Sequence, residues 1–140
     1  MRPRYERSWD LAAESIVLGE ICRKWGCTSQ KLPVRYKLDY LLLREGKGVA
    51  WLEIKARTNE RLAYPTYMIS MGKVISAKEL TGASGLPSFL LVQWKDELGY
   101  ARLDSLSNFS VSVGGRVDRG DDDDIEPVAL IPVDDFHLVA

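Results

Sequence analysis

The amino-acid sequence predicts an α/β fold with a mixed central β-sheet that is flanked by helices. Three observations lead to this fold class. Apolar residues recur at helical spacing near the N-terminus, two β-rich segments are joined by a glycine-containing turn, and a second helical segment precedes a continuous apolar strand. The predicted order of elements is α-β-β-β-α-β-β. The 140 residues contain no internal repeat and no long linker, which predicts one domain over residues 1–140.

The first helix is predicted from Ser8 to about Trp25. Ser8 is a good N-cap residue, and Gly26 follows the last turn. The apolar residues between these ends repeat with a helical period: Ala13, Ile16, Val17, Leu18, Ile21, Cys22 and Trp25. The seven residues before the helix are predicted to form a basic arm that carries three arginines: Arg2, Arg4 and Arg7.

The segments that follow predict strands and one further helix. A hairpin is expected from residues 34–43 and 49–56, joined by a turn at 45–48, and an irregular third strand at 62–69. Ser70 is expected to cap a helix at 71–80. A strand buried on both faces is predicted at 88–95 and a short strand at 100–103. Residues 114–124 are predicted to be an acidic loop, and residues 128–132 a last edge strand.

Composition predicts a soluble cytoplasmic protein. Hydrophobic residues make up 46% of the chain and charged residues 28%, and the apolar runs are too short to cross a bilayer. The N-terminus lacks the apolar segment of a signal peptide. Cys22 and Cys27 do not have the spacing of a zinc site and are expected to be free thiols. The single histidine, His137, excludes histidine-based metal or nucleophilic catalysis.

The charge distribution predicts one basic face. Residues 1–80 carry 15 lysines and arginines against 9 acids, whereas residues 81–140 carry 4 against 11. A basic face could bind a polyanion, and an acidic end would repel it.

The residues that suggest chemistry lie in the hairpin. Side chains alternate along a strand, so Glu53 and Lys55 share one face. Asp39 is a third ionisable residue in the otherwise apolar partner strand, 14 residues upstream of Glu53. Buried charges of this kind are costly unless they are paired or bind a ligand. Two carboxylates with a lysine suit Mg²⁺ or Mn²⁺ and hydrolysis of a phosphodiester. The alternative is a surface salt bridge between Glu53 and Lys55.

Asp39, the glycine turn and Glu53-Ile54-Lys55 resemble the signature of the PD-(D/E)XK nuclease superfamily, with Leu38 in place of its proline. The resemblance implies the restriction-endonuclease-like fold and a Mg²⁺-dependent endonuclease that cuts DNA. It implies that Asp39, Glu53 and the Ile54 carbonyl bind the metal and that Lys55 is the catalytic lysine. It also implies a homodimer, since one small domain has one site, with no organic cofactor.

Three further groups of residues are candidates for the site. Glu14 lies within the apolar stripe of the first helix, where it requires either a metal, as in some members of the superfamily, or a basic partner from the sheet. Lys73, at the start of the second helix, and Arg57, on the face of Glu53, are candidate phosphate contacts. The arginines of the N-terminal arm could add contacts to the DNA backbone.

Two classes of function remain open from the sequence. The first is an active DNA endonuclease that acts on structured or duplex DNA, either a junction-resolving enzyme, a restriction or repair enzyme, or a phage nuclease of nucleotide scavenging. The second is a catalytically inactive nuclease fold that serves as a DNA-binding or scaffold protein. Three retained charges in one strand pair favour the first.

Overall fold

The computed structural model describes residues 8–114 and 125–139, and their side chains from residue 13 onward. Two helices and nine strands are present in these ranges: α1 (Ser8–Trp25), β1 (Thr28–Lys31), β2 (Tyr40–Arg44), β3 (Lys47–Ala56), β4 (Thr66–Ser70), α2 (Met71–Ser84), β5 (Ser88–Gln93), β6 (Leu98–Arg102), β7 (Ser110–Gly114), β8 (Glu126–Pro132) and β9 (His137–Leu138). The N-terminal arm at 1–7 and residues 115–124 of the acidic loop lie outside the described residues.

The central sheet has six strands in the order β1-β2-β3-β5-β6-β9. Only β3 and β5 run parallel within it, and the other neighbours are antiparallel. A smaller sheet has the order β4-β8-β7. The mixed sheet with helices on its faces confirms the predicted fold class.

The central sheet separates two apolar cores. On one face, Val17 and Ile21 of α1 pack against Leu52 and Ile54 of β3. On the other face, α2 and the small sheet pack against residues of β5 and β6 such as Leu90. Because side chains alternate along β3, Glu53 points to the face opposite Leu52 and Ile54, which is the face that α2 covers.

Several element boundaries follow from local sequence. Ser70 caps α2, since its Oγ accepts a hydrogen bond from the Gly72 amide at 3.1 Å. The helix continues to Ser84, beyond the predicted end, and closes at Gly85 with φ of 77°. Between β2 and β3, Glu45 and Gly46 both adopt positive φ, at 51° and 78°, as a two-residue hairpin turn requires.

Four predictions about strands were wrong. The strand predicted at 34–43 begins only at Tyr40, after a 3-10 turn at Val34–Tyr36, and the third strand is confined to Thr66–Ser70. β1, β7 and β9 were not predicted: β1 is polar and β9 has only two residues, whereas β7, Ser-Val-Ser-Val-Gly, does have the apolar alternation of a strand and was missed. β8 is the middle strand of the small sheet and not an edge strand. β6 begins at Leu98, within the predicted turn.

Two remaining expectations concern membranes and thiols. None of the helices in the described ranges is long and apolar enough to cross a bilayer. Cys22 and Cys27 are free thiols, as expected, and burial together with the neighbouring Cys22 raises the pKa of Cys27 to about 11.

Candidate active site

Glu53 is the centre of the site. It lies in the middle of β3, and its side chain is fully buried, with 0% exposure. Burial raises the pKa of Glu53 above its ordinary value, and the negative charge of Asp39 raises it further, whereas Lys55 and Lys73 act in the opposite direction. Since burial is the largest of these causes, the ionised carboxylate is held in the interior at a cost.

Two ammonium groups compensate this carboxylate. The Nζ atoms of Lys55 and Lys73 each lie 3.3 Å from Glu53 Oε2, and Lys73 Nζ also lies 3.4 Å from Oε1. Both distances to Oε2 are those of ion pairs, but Oε2 receives no well-directed hydrogen bond in the described part of the chain. Lys55 is 37% exposed and Lys73 20% exposed, so Lys73 is the more enclosed partner.

Lys73 is held in place by the backbone of Lys37. Its ammonium donates a short hydrogen bond to the Lys37 carbonyl. Lys37 adopts left-handed φ of 63°, at the end of the 3-10 turn that precedes β2. A non-glycine residue adopts this conformation only where the surroundings impose it. The first turn of α2 thus brings Lys73 to the predicted site.

Asp39 lies directly before β2 and not within a strand, as the sequence had suggested. Its Oδ2 accepts a hydrogen bond from the Ile54 amide at 2.8 Å, and its own amide donates to the Leu52 carbonyl at 3.0 Å. These two hydrogen bonds continue the pairing of β2 with β3 one residue beyond Tyr40. They hold Asp39 against Leu52 and Ile54, the two neighbours of Glu53 in β3.

Glu14 lies in a second group of charges at the edge of the site. It accepts a hydrogen bond from the Tyr40 hydroxyl at 2.5 Å, and its Oε2 lies 3.5 Å from Lys31 Nζ. The same Lys31 ammonium lies 3.7 Å from Asp39 Oδ1. The contacts of Glu14 are those expected for a basic partner from the sheet, and its role as a metal ligand stays a prediction.

Lys31 is the residue that the sequence did not reveal. It belongs to β1, whose sequence Thr-Ser-Gln-Lys has no apolar residue to mark a strand. Together with Lys37 and Lys73 it lines a cavity of about 220 Å³ that also contains Asp39. Pairing of β1 with β2, Lys31 opposite Tyr40, is what places it there.

The donor atoms suit a hard divalent cation only in part. Among residues 8–114 and 125–139, no group of three or more histidine, cysteine, aspartate or glutamate side chains is arranged to hold a metal. Two carboxylates remain, Asp39 and Glu53, with a buried Glu53 oxygen that lacks a hydrogen bond. Mg²⁺ commonly binds through one or two carboxylates and completes its shell with water and phosphate. With water and phosphate in the remaining positions, these residues would fit Mg²⁺ or Mn²⁺.

The other candidates for nucleic-acid contact lie elsewhere. Arg57 follows β3, and its guanidinium lies 4.8 Å from the centre of the Tyr67 ring, while Nη1 donates to the Ala56 carbonyl at 3.0 Å. It borders a different cavity, away from Lys37 and Lys73. The three arginines of the arm, Arg2, Arg4 and Arg7, lie outside the described residues.

A fully buried carboxylate beside a second acid and between two lysines can bind a cation, hold a water molecule and offset negative charge on a phosphate. These abilities are consistent with the resemblance noted in the sequence. The geometry places Asp39, Glu53, Ile54, Lys55 and Lys73 together.

Comparison with solved structures shows the same fold in two nucleases. Hjc, a Holliday junction resolvase from the archaeal hyperthermophile Archaeoglobus fulgidus, is 11% identical, with a TM-score of 0.59, over 89% of this chain and 84% of that chain. D212, a nuclease from a fusselovirus, is 19% identical, with a TM-score of 0.55, over 97% of this chain and 90% of that chain. A search among curated proteins finds no match.

Comparison with protein families gives a match over almost the whole length. The model described as "Phage putative PDDEXK endonuclease" matches residues 1–139. This confirms the resemblance that Asp39, Glu53 and Lys55 indicated, and with it the restriction-endonuclease-like fold. The chain belongs to this family of phage PDDEXK endonucleases and is a nuclease of the PDDEXK type.

Proposed function

We propose that this protein is a Mg²⁺- or Mn²⁺-dependent endonuclease that hydrolyses DNA phosphodiester bonds in the cytoplasm and acts as a homodimer on structured or duplex DNA. The observation that carries the proposal is the fully buried Glu53, placed beside Asp39 and 3.3 Å from both Lys55 and Lys73. Such a costly charge requires a ligand or a function.

In this proposal Asp39, Glu53 and the Ile54 carbonyl would hold the cation, which would supply Lewis-acid polarisation of the scissile phosphate. The protein residues prepare the site. The Ile54 amide orients the Asp39 carboxylate through its 2.8 Å hydrogen bond. Lys73, fixed to the Lys37 carbonyl, holds the position of Glu53.

Lys55 is proposed to act on the reacting groups. It is the more exposed of the two lysines, at 37%, so its ammonium can reach water and phosphate while it remains close to Glu53. There it would orient the attacking water and offset the charge that develops on the phosphate oxygens. Glu14 would be a further ligand of the cation, and its carboxylate lies 3.5 Å from the Lys31 ammonium in this structure.

The substrate is proposed to be DNA, since one structural neighbour is a Holliday junction resolvase. Recognition of DNA shape rather than readout of a long sequence is part of the proposal, by analogy with that neighbour. A homodimer would supply two sites, one for each strand that is cut.

The test is a cleavage assay on supercoiled plasmid, single-stranded DNA and branched DNA in Mg²⁺, Mn²⁺, Ca²⁺ and EDTA. Cleavage is expected in Mg²⁺ and Mn²⁺, weakly in Ca²⁺ and not in EDTA. Lys55→Ala should abolish it, whereas Lys47→Ala, an exposed lysine at the other end of β3, should not. Sedimentation should show a dimer. DNA binding without cleavage under every condition would instead identify an inactive nuclease fold.

A further inference from the structure

A second cavity borders Arg57, the residue that directly follows β3. Its volume is about 450 Å³, twice that of the cavity beside Asp39. Its lining includes Arg57, Asn59, Tyr64, Tyr67 and Met68. Arg57 is two residues beyond Lys55, which corresponds to a backbone separation of about 7 Å in an extended chain.

The lining is aromatic and apolar where it is accessible. The Tyr64 side chain is 62% exposed and that of Met68 is 50% exposed, a large fraction for residues of this type. A tyrosine ring and a polarizable thioether are surfaces on which flat, conjugated rings stack. The cavity therefore presents a stacking surface.

Its charge comes from arginine. Arg61 also lines the cavity, but its guanidinium is held by Glu97 and by the Val133 carbonyl at 3.1 Å, so it forms part of the wall. Arg57 lies over the Tyr67 ring and has no carboxylate partner among residues 8–114 and 125–139. An arginine so placed can bind a phosphate.

Tyr67 forms a wall of the cavity. Its side chain is buried, at 4% exposure, and its hydroxyl is enclosed, so a base in the cavity does not reach that oxygen. What Tyr67 contributes is its ring, over which the Arg57 guanidinium lies.

We propose that this cavity binds an unpaired nucleobase of the DNA substrate, with the ring stacked on Tyr64 and Met68 and the adjoining phosphate on Arg57. The inference rests on the proposed function and extends it. A base within a duplex is stacked and paired and cannot enter, whereas a base at a junction, bulge or flap can enter at little cost. The cavity would thus select structured DNA.

The test measures DNA binding in EDTA by fluorescence anisotropy, which requires no cleavage. Three duplexes are compared: one with a single bulged adenine, one with an abasic residue at the bulge, and one fully paired. The wild-type protein should bind the bulged adenine about tenfold more tightly than the abasic bulge, as expected for one stacked base. Tyr64→Ala should remove this difference, and Tyr64→Phe, which keeps the ring, should retain it.

Leu62→Ala is the matched control. Leu62 is 67% exposed and lies two residues before Tyr64, but it does not line the cavity. It should leave the preference for the bulged adenine unchanged, and thermal unfolding should show that all three variants are folded. Equal affinity of the wild-type protein for the adenine and abasic bulges would overturn the proposal. So would a Tyr64→Ala variant that weakens binding to all three duplexes equally.

The outcome separates this proposal from that of nuclease activity. A protein that distinguishes adenine from an abasic residue but cuts no DNA in Mg²⁺ would keep the base cavity and reject the catalytic function. A protein that cuts DNA but makes no distinction would keep the nuclease and reject the cavity. Failure to bind any of the three duplexes in EDTA would reject the cavity, and the cleavage assay in Mg²⁺ would decide the catalytic function separately.

Discussion

Replacing Lys73 with methionine should destabilise the protein more than replacing Lys55, although both ammonium groups lie 3.3 Å from the same oxygen of Glu53. At this distance the attraction between unit charges is about 5 kcal/mol at an effective dielectric constant of ~20. The cost of desolvating the charges offsets much of it. What remains depends on exposure, which is 20% for Lys73 and 37% for Lys55.

Breaking a buried pair on one side typically costs roughly 3–5 kcal/mol. Lys55 still faces Glu53 after Lys73 is removed, so we expect Lys73→Met to lower the free energy of unfolding by about 1–3 kcal/mol. For Lys55→Met we expect less than about 1 kcal/mol, because water screens the more exposed pair. Both variants should lose cleavage, in the first case through a displaced Glu53 and in the second through the missing ammonium.

Urea unfolding in EDTA at neutral pH measures the two free energies. Glu53→Gln provides the control. In that background no buried carboxylate loses its partner, so Lys73→Met should lower the free energy of unfolding by less than it does in the wild type. A cost for Lys55→Met equal to or greater than that for Lys73→Met would refute the assignment of Lys73 as the holding residue. An unchanged cost in the Glu53→Gln background would show that the ion pair is not its source.

The remaining predictions concern three carboxylates and the cation. Burial raises the pKa of Glu53, so its folded form favours the proton and its contribution to stability is lost as pH rises through the raised pKa. Glu53→Gln in EDTA should therefore gain melting temperature relative to the wild type at pH 8 but not at pH 4, and a pH-independent difference would contradict this. Burial by itself raises the pKa of Asp104, but hydrogen bonds from the Arg102 side chain and the Ser88 amide lower it below 3.8 overall. Asp104→Asn should cost about 1–3 kcal/mol at pH 7, and urea titrations should show this difference vanish as pH falls below the lowered pKa. Glu14→Gln should cost less than about 1 kcal/mol, since its partner Lys31 is 47% exposed, and the cleavage rate in Mg²⁺ then reports whether Glu14 serves the metal. Saturating Mg²⁺ should raise the melting temperature of the wild type but not of Asp39→Asn, whereas equal shifts would place the cation elsewhere.

The alternation of charge and apolar residues in β3 was sufficient to predict the centre of the site. Glu53 and Lys55 had to share one face and Leu52 and Ile54 the other, because side chains alternate along any strand. That α1 covers the second face is known from the structure. The Ser70 cap and the helical spacing that follows likewise predicted the start of α2, and with it the position of Lys73.

The parts that could not be predicted depend on contacts between distant segments. Lys31 enters the site because β1 pairs with β2, and nothing in a polar four-residue strand indicates a partner. Lys37 adopts its left-handed backbone for the same reason, since only the folded surroundings impose it. The three-stranded sheet joins β4 with strands more than 35 residues later, and local patterns carry no information on such pairing.

The hydrogen bond from the Ile54 amide to Asp39 ties the site to the strand that unites the two cores. Leu52 and Ile54, the residues on either side of Glu53, are both buried in the apolar core beneath α1. The Ile54 amide proton should therefore exchange with deuterium slowly, and faster once Asp39→Ala has removed its acceptor. Because Glu53 and Lys55 lie on this strand, substitutions in the loops and in the small sheet can change the DNA preference without displacing them.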